Sequence, residues 1–224
     1  MASNERSGEM KALVVGATGA VGKDLVRLLL DDERFDEIYI FVRGTSGVKH
    51  EKLTEHIVNF DNIDEWKDKL CGDVLFSCIG TTLKDAGSKE KQWKIDYDYQ
   101  YDIAAAASEN GVERYILVSS VGASANSSVF YLRMKGQLDE AVGKLPFTYK
   151  GIIRPASMIR KNTTRTSERI TVPILRVLNS IGLFKNNTPI RTELVAMAMI
   201  NAAVSGKQGY EVIGGQEVFK AAYL

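Results

Sequence analysis

Residues 10–30, M-K-A-L-V-V-G-A-T-G-A-V-G-K-D-L-V-R-L-L-L, constrain this chain more than any other stretch. Ala12, Leu13, Val14 and Val15 form an apolar run that reads as a buried strand. Gly16, Gly19 and Gly22 follow. Val21, Leu25, Leu28 and Leu29 then fall on one face of a helix. The first backbone N–H groups of such a helix have no intrahelical partner, and its dipole favours negative charge at that end. A pyrophosphate fits there, with Thr18, Ala20 and Val21 beside it as candidate contacts. Glycine is needed where the turn takes unusual dihedrals or where a side chain would block the phosphate.

The spacing is G-x-x-G-x-x-G and differs from the G-x-G-x-x-G dinucleotide fingerprint. A tight strand-to-helix turn without a ligand has the same glycines. A triphosphate loop is a third reading, because residues 17–23 match the looser A-x-x-x-x-G-K. That loop needs Ser or Thr after the lysine to hold Mg²⁺. Asp24 stands there instead, and a carboxylate beside a triphosphate is repelled.

Further along, strands are expected at 37–42, 55–60, 73–79, 114–118 and 148–153. Helices are expected at 63–70, capped by Asp61 or Asn62, and at 89–110 and 129–144. Apolar strands alternating with helices up to residue 155 predict an α/β protein with a parallel sheet covered on both faces. Beyond residue 155 the pattern loosens to a polar, basic loop at 156–167, helices at 172–181 and 192–204, and a short strand at 211–213. Residues 10–224 read as one domain behind a floppy tail, 1–9, and 156–224 include a small substrate-side lobe.

The 224 residues are 45% hydrophobic and 25% charged, enough for such a core. A net charge of +1 excludes a strongly basic nucleic-acid binder or anionic-membrane ligand. No apolar run reaches the length of a membrane span. The polar N-terminus lacks the apolar core of a secretory signal. Cys71 and Cys78 suggest no disulfide framework, and Cys78 reads as a small core residue. A reducing, cytoplasmic setting is therefore expected. His50 and His56 are not at metal-ligand spacing, and no metal site is expected.

In an open parallel sheet, ligands bind across the carboxyl ends of the strands. After the second strand stands Arg43, about twenty residues past the glycine loop, where an NAD-type site places an acidic residue. A guanidinium there suits the 2′-phosphate of NADP(H) instead. A solvated loop arginine is the other reading. After the third strand, Asp61 and Asn62 either reach the adenine edge or cap a helix. After the fourth come Cys78, Ile79, Gly80 and Thr81, where backbone approaches the cofactor ribose.

After the fifth strand come Ser119 and Ser120. Tyr131 follows, and Lys135 lies at i+4, on the same helix face. Of the nine tyrosines only Tyr131 has lysine at that spacing. An ammonium near a phenol favours the phenolate and is expected to lower the tyrosine pKa toward neutrality. Such a tyrosine passes a proton to or from a carbonyl or alcohol oxygen while hydride moves at carbon. A serine hydroxyl can hydrogen-bond the same oxygen. A surface tyrosine beside a solvated lysine remains the alternative.

Together G-A-T-G-A-V-G at 16–22, V-S-S-V-G-A at 118–123, Y-L-R-M-K at 131–135 and I-I-R-P at 152–155 resemble the atypical short-chain dehydrogenase/reductases. Within them the chain looks most like the Tat-interacting-protein oxidoreductase group and NmrA-like NAD(P)H-binding proteins. The resemblance implies a Rossmann-type, doubly wound sheet and an NADP(H) cofactor. It also implies a Ser120 (or Ser119), Tyr131 and Lys135 triad, with Pro155 and Ser157 along the nicotinamide. Relatives often carry Asn on the long helix where this chain has Asp96. The expected activity is hydride transfer between NADPH and an unidentified carbonyl or alcohol substrate, in a monomer or homodimer. An NADPH-sensing regulator or interaction module with little turnover is the alternative.

Overall fold

The computed structural model describes residues 10–159 and 189–224. Its main sheet is built from β1 (Met10–Val15), β2 (Phe35–Val42), β3 (Leu53–Ile57), β4 (Val74–Ser77), β5 (Arg114–Val118) and β6 (Tyr149–Arg154), with a further strand, Gly209–Gly214, on the far edge. The strand order is β3-β2-β1-β4-β5-β6 and then Gly209–Gly214, and every pairing is parallel. This is the doubly wound Rossmann order, which reverses direction between β1 and β4.

Both faces of the sheet are covered, as the strand sequences require. In β1, Ala12 and Val14 enter one core while Leu13 and Val15 enter the other, and all four are buried. A period-two strand with no polar face is stable only between two layers. One layer holds α1 (Ala20–Leu30) and the helices Thr192–Val204 and Gln216–Ala221. The other holds α4 (Tyr99–Glu109) and α5 (Phe130–Gly143). No helix among the described residues is long and apolar enough to cross a membrane.

Several sequence expectations are corrected. The helix expected at 63–70 is two 3-10 turns, Ile63–Glu65 and Lys67–Lys69. Trp66 separates them because its indole is buried and donates to the Asn59 carbonyl at 2.9 Å. No side chain caps the first turn, and Asn62 instead donates to Glu65 at 2.6 Å. The third strand occupies 53–57 rather than 55–60, paired in register with Ile38 to Val42. The long helix begins with α3 (Lys89–Trp93) and is interrupted by a π turn, Lys94–Asp98, before α4. Within the loop expected after residue 155, Met158–Ile159 pairs in parallel with Ile190–Arg191. The short helices Leu83–Ala86 and Gln216–Ala221 had no sequence expectation. The tail expected at 1–9, the helix at 172–181 and most of the loop at 156–167 lie outside the described residues.

Candidate active site

The sheet reverses direction where β1 and β4 end, and the two walls meet there. Gly16 follows β1 with φ +79°, a region that disfavours any side chain. A Cβ on Gly16 would lie 2.5 Å from the Cys78 carbonyl carbon, so the two strand ends touch backbone to backbone. A Cβ on Gly22 would lie 2.1 Å from the Gly16 carbonyl oxygen. The loop therefore packs directly on the helix, and Gly19 N–H donates to Gly16 O at 2.9 Å. Gly19 precedes α1, no side chain caps that helix, and its first turn carries no acidic residue. These features leave an anion-ready helix start. Asp24, which argued against a triphosphate, accepts the Thr192 hydroxyl at 2.6 Å.

A cavity of about 350 Å³ opens from this turn. Gly16, Thr18, Gly19, Arg43, Cys78, Ile79, Gly80 and Thr81, eight of the expected cofactor residues, line it. Phe41, Phe60, Ile95 and Tyr99 complete an apolar wall that the sequence reading had not assigned. In sequence, Tyr97, Tyr99 and Tyr101 are spaced by two, so they cannot all lie on one helix face. The π turn explains them. Trp93, Tyr97 and Tyr101 stack along one face, with successive centroids 4.8 and 6.2 Å apart, while Tyr99 faces the cavity. Asp61 sits at the margin, accepting the Tyr99 hydroxyl at 2.7 Å and pairing with Lys94. Neither Asp61 nor Asn62 is among the lining residues. Arg43 is exposed and makes no hydrogen bond or ion pair with other described residues.

The glycine cradle, the uncapped helix start and a cavity of this size and lining fit a dinucleotide. Gly16, Gly19 and the N–H groups at the start of α1, where Ala20, Val21 and Gly22 lie, would hold its pyrophosphate.

The second half of the site lies at the ends of β5 and β6. Ser119 donates its hydroxyl to Asp139 at 2.9 Å, and Arg154 contacts the same carboxylate at 2.9 and 2.8 Å. The Ser120 hydroxyl donates to the Val121 carbonyl at 3.3 Å and also lies within hydrogen-bonding reach of the Tyr131 phenol. Pro155 ties the two strand ends through its carbonyl, which accepts Val121 N–H at 3.1 Å, and the Ser157 carbonyl accepts Ile190 N–H at 2.9 Å. Tyr131 and Lys135 share one face of α5. A Cβ on Gly136 would lie 2.2 Å from the Ser124 backbone, so the loop before α5 crosses the helix in contact with it. That glycine was not singled out from sequence, although it adjoins the lysine.

The electrostatics differ from expectation. Lys135 is 3% exposed and stands 3.4 Å from Asp96, itself fully buried. Burial pulls the Lys135 ammonium toward neutrality, but Asp96, Tyr131 and Asp139 outweigh it and raise its pKa. The Tyr131 pKa is raised, not lowered toward neutrality. Burial dominates and the Asp96 charge adds to it, against the opposing pull of Lys135 and Ser120. The lysine was expected to act on the phenol alone; its field is shared with a carboxylate that sequence spacing did not place beside it.

Cys78 lies 3.9 Å from the Met199 sulfur, and burial pushes its thiol up to about 12. Iodoacetamide at pH 8 is therefore expected to alkylate the exposed Cys71 and spare Cys78. Peptide mapping of the treated protein checks this; equal labelling of both would refute it.

A family model described as NAD(P)H-binding matches residues 16–203. Protein FMP52, mitochondrial, of Meyerozyma guilliermondii is 34% identical, over 95% of this chain and 95% of that protein. Protein FMP52-1, mitochondrial, of Scheffersomyces stipitis is 33% identical over 87% and 88%. These names overturn the cytoplasmic expectation. A missing apolar signal core speaks only to secretion, and other compartments use other addresses. Among solved structures, the UDP-N-acetylglucosamine 4-epimerase of Methanobrevibacter ruminantium superposes with TM-score 0.68 at 16% identity, covering 92% of this chain and 77% of that one. WbmH of Bordetella bronchiseptica, in complex with NAD+, superposes with TM-score 0.65 at 15% identity, covering 92% and 76%.

Proposed function

The chain belongs to the NAD(P)H-binding family whose model it matches, and on that premise we propose that it is an NADPH-dependent reductase of carbonyl compounds of the atypical short-chain dehydrogenase/reductase kind. The observation that carries the reading is that Ser120, Tyr131 and Lys135 lie near one another at the carboxyl end of β5; none of the three lines the cavity entered from the glycine turn, but Lys135 is near Cys78, which does. A bound nicotinamide dinucleotide supplies hydride to carbon. Tyr131 delivers a proton to the carbonyl oxygen, and Ser120 holds that oxygen by a hydrogen bond. Lys135 stays charged next to the phenol and steadies the phenolate left behind. Ser119 is spent on Asp139, which favours Ser120 for the substrate role. The relatives' names support a mitochondrial setting.

A steady-state screen of NADPH oxidation against aldehydes, ketones and quinones tests the reading. Turnover with one class supports it; tight NADPH binding without turnover on any class favours a dinucleotide-sensing regulator.

The preference for NADPH rests on Arg43, an exposed guanidinium at the cavity with no counter-ion among the described residues. A charge-assisted contact to a 2′-phosphate contributes about 1.5–3 kcal/mol, so Arg43→Ala is expected to weaken NADPH binding roughly 10- to 100-fold. With both dinucleotides titrated by calorimetry, NADH binding should change little. Equal losses for both would remove the 2′-phosphate assignment.

A further inference from the structure

Behind the proposed proton donor lies a charge that the reaction as written does not use. Asp96 is fully buried. Its Oδ2 accepts Thr81 N–H at 3.0 Å, and its Oδ1 faces the Lys135 ammonium at 3.4 Å without an aligned hydrogen bond. The residue stands on the π turn Lys94–Asp98, which carries one more residue per turn than an α-helix. Gln100 holds that turn in place. Its amide N–H donates to the Asp96 carbonyl at 2.6 Å and its amide oxygen accepts the Ser77 hydroxyl at 2.8 Å. Burial raises the Asp96 pKa, against the opposing pull of Lys135 and the Thr81 N–H; each of its oxygens faces a donor, which is the arrangement of a carboxylate. An ammonium as buried as Lys135 is costly without a counter-charge, and Asp96 supplies it.

Charged and titratable groups reach Tyr131 from each neighbouring element. Lys135 and Asp139 are on its own helix, Asp96 is on the π turn, and Ser120 is at the end of β5. Cys78, at the end of β4, lies near Lys135 as a neutral thiol. The Asp139 charge is largely answered by Arg154 on β6, through contacts of 2.9 and 2.8 Å. Asp96 is thus the carboxylate that competes with the phenol for the Lys135 charge.

We propose that Asp96 is a positioning residue whose charge, set against Lys135 in a buried ion pair, opposes the ammonium's pull on the phenol and so keeps Tyr131 neutral, carrying the proton that carbonyl reduction consumes. This rests on the proton-donor reading of Tyr131 above. In the reduction, the carbonyl carbon gains a hydride from the reduced dinucleotide and the oxygen gains the Tyr131 proton. The products are an alcohol, the oxidised dinucleotide and a phenolate that takes a proton back from water. Alcohol oxidation needs the phenolate at the start, so the ion pair biases the site toward reduction. Both burial and the Asp96 charge favour the phenol.

The test is tyrosinate absorbance during a pH titration of the cofactor-free protein. Subtracting the Tyr131→Phe titration isolates Tyr131. In Asp96→Asn its midpoint is expected to fall by about one pH unit or more, a tenfold rise in acidity. A midpoint that is unchanged or higher overturns the proposal. The isosteric amide keeps an acceptor for Thr81, but it leaves Lys135 buried without the Asp96 counter-charge, which puts folding of the variant at risk. A second comparison therefore removes the cation as well. Tyr131 should titrate lower in Asp96→Asn/Lys135→Gln than in Lys135→Gln, and equal midpoints refute the charge coupling. A lower midpoint in a protein that reduces no carbonyl supports the coupling and overturns the proton-donor reading alone.

Discussion

Tyr131→Phe is expected to lower kcat for carbonyl reduction by about 10²- to 10⁴-fold, the usual worth of a positioned general acid. NADPH affinity should change by less than about threefold, on the order of 0.6 kcal/mol. The two readouts separate because the substitution deletes one hydroxyl and keeps the ring. The phosphate turn lies at the end of β1, on a different strand from the Ser119–Ser120 end of β5. Lys135 and Asp96 keep their ion pair in the variant, since neither depends on the phenol for its partner. Stopped-flow kinetics and calorimetric titration check the pair of outcomes. Lost binding with retained kcat would assign Tyr131 to cofactor binding and remove it from proton transfer.

Gly22→Ala is expected to damage folding and dinucleotide binding together. Its Cβ would stand 2.1 Å from the Gly16 carbonyl oxygen and 2.8 Å from the Ala17 Cα, both backbone atoms of the turn. No rotamer change relieves such a contact, so the loop must lift from the helix. Overpacking of this kind costs about 3 kcal/mol, to be read from urea unfolding. The lifted loop also withdraws the N–H groups offered to phosphate, and dinucleotide affinity should fall about 100-fold or more. Gly44→Ala is the control, because its Cβ would meet nothing within 4 Å. Comparable losses in the two variants would show that the cradle geometry is not what binds.

Much of the fold was legible because its central strands carry no polar face. Runs such as residues 12–15 and 114–118 can be stable only between two helical layers, and both layers are present. The helix at 192–204 and the strand at 114–118 have the bounds that their apolar patterns indicated. The elements that departed are those whose form depends on one distant contact. Trp66 splits the 63–70 segment because its indole finds the Asn59 carbonyl and a place in the core. The π turn at 94–98 has no local signature; it is held by Gln100 against Ser77 on β4.

The candidate site divides along the same line. Local sequence determined the glycine turn, since strand, glycines and helix are contiguous and backbone N–H groups need no partner from elsewhere. It also determined that Tyr131 and Lys135 share a helix face, which the i, i+4 geometry guarantees. Only the tertiary structure decided what surrounds them. It assigned Ser119 to Asp139 and set Ser120, which also donates to the Val121 carbonyl, near the phenol. It brought Phe60 and Tyr99 to one cavity wall from separate elements. It also buried the phenol and set Asp96 against Lys135 beside it, so that burial first and the Asp96 charge second reverse the expected direction of the Tyr131 pKa. Spacing along a chain specifies which neighbours a side chain has on its own helix. The protonation of a buried group depends on solvent exclusion and on charges arriving from other elements, and these exist only once the chain has folded.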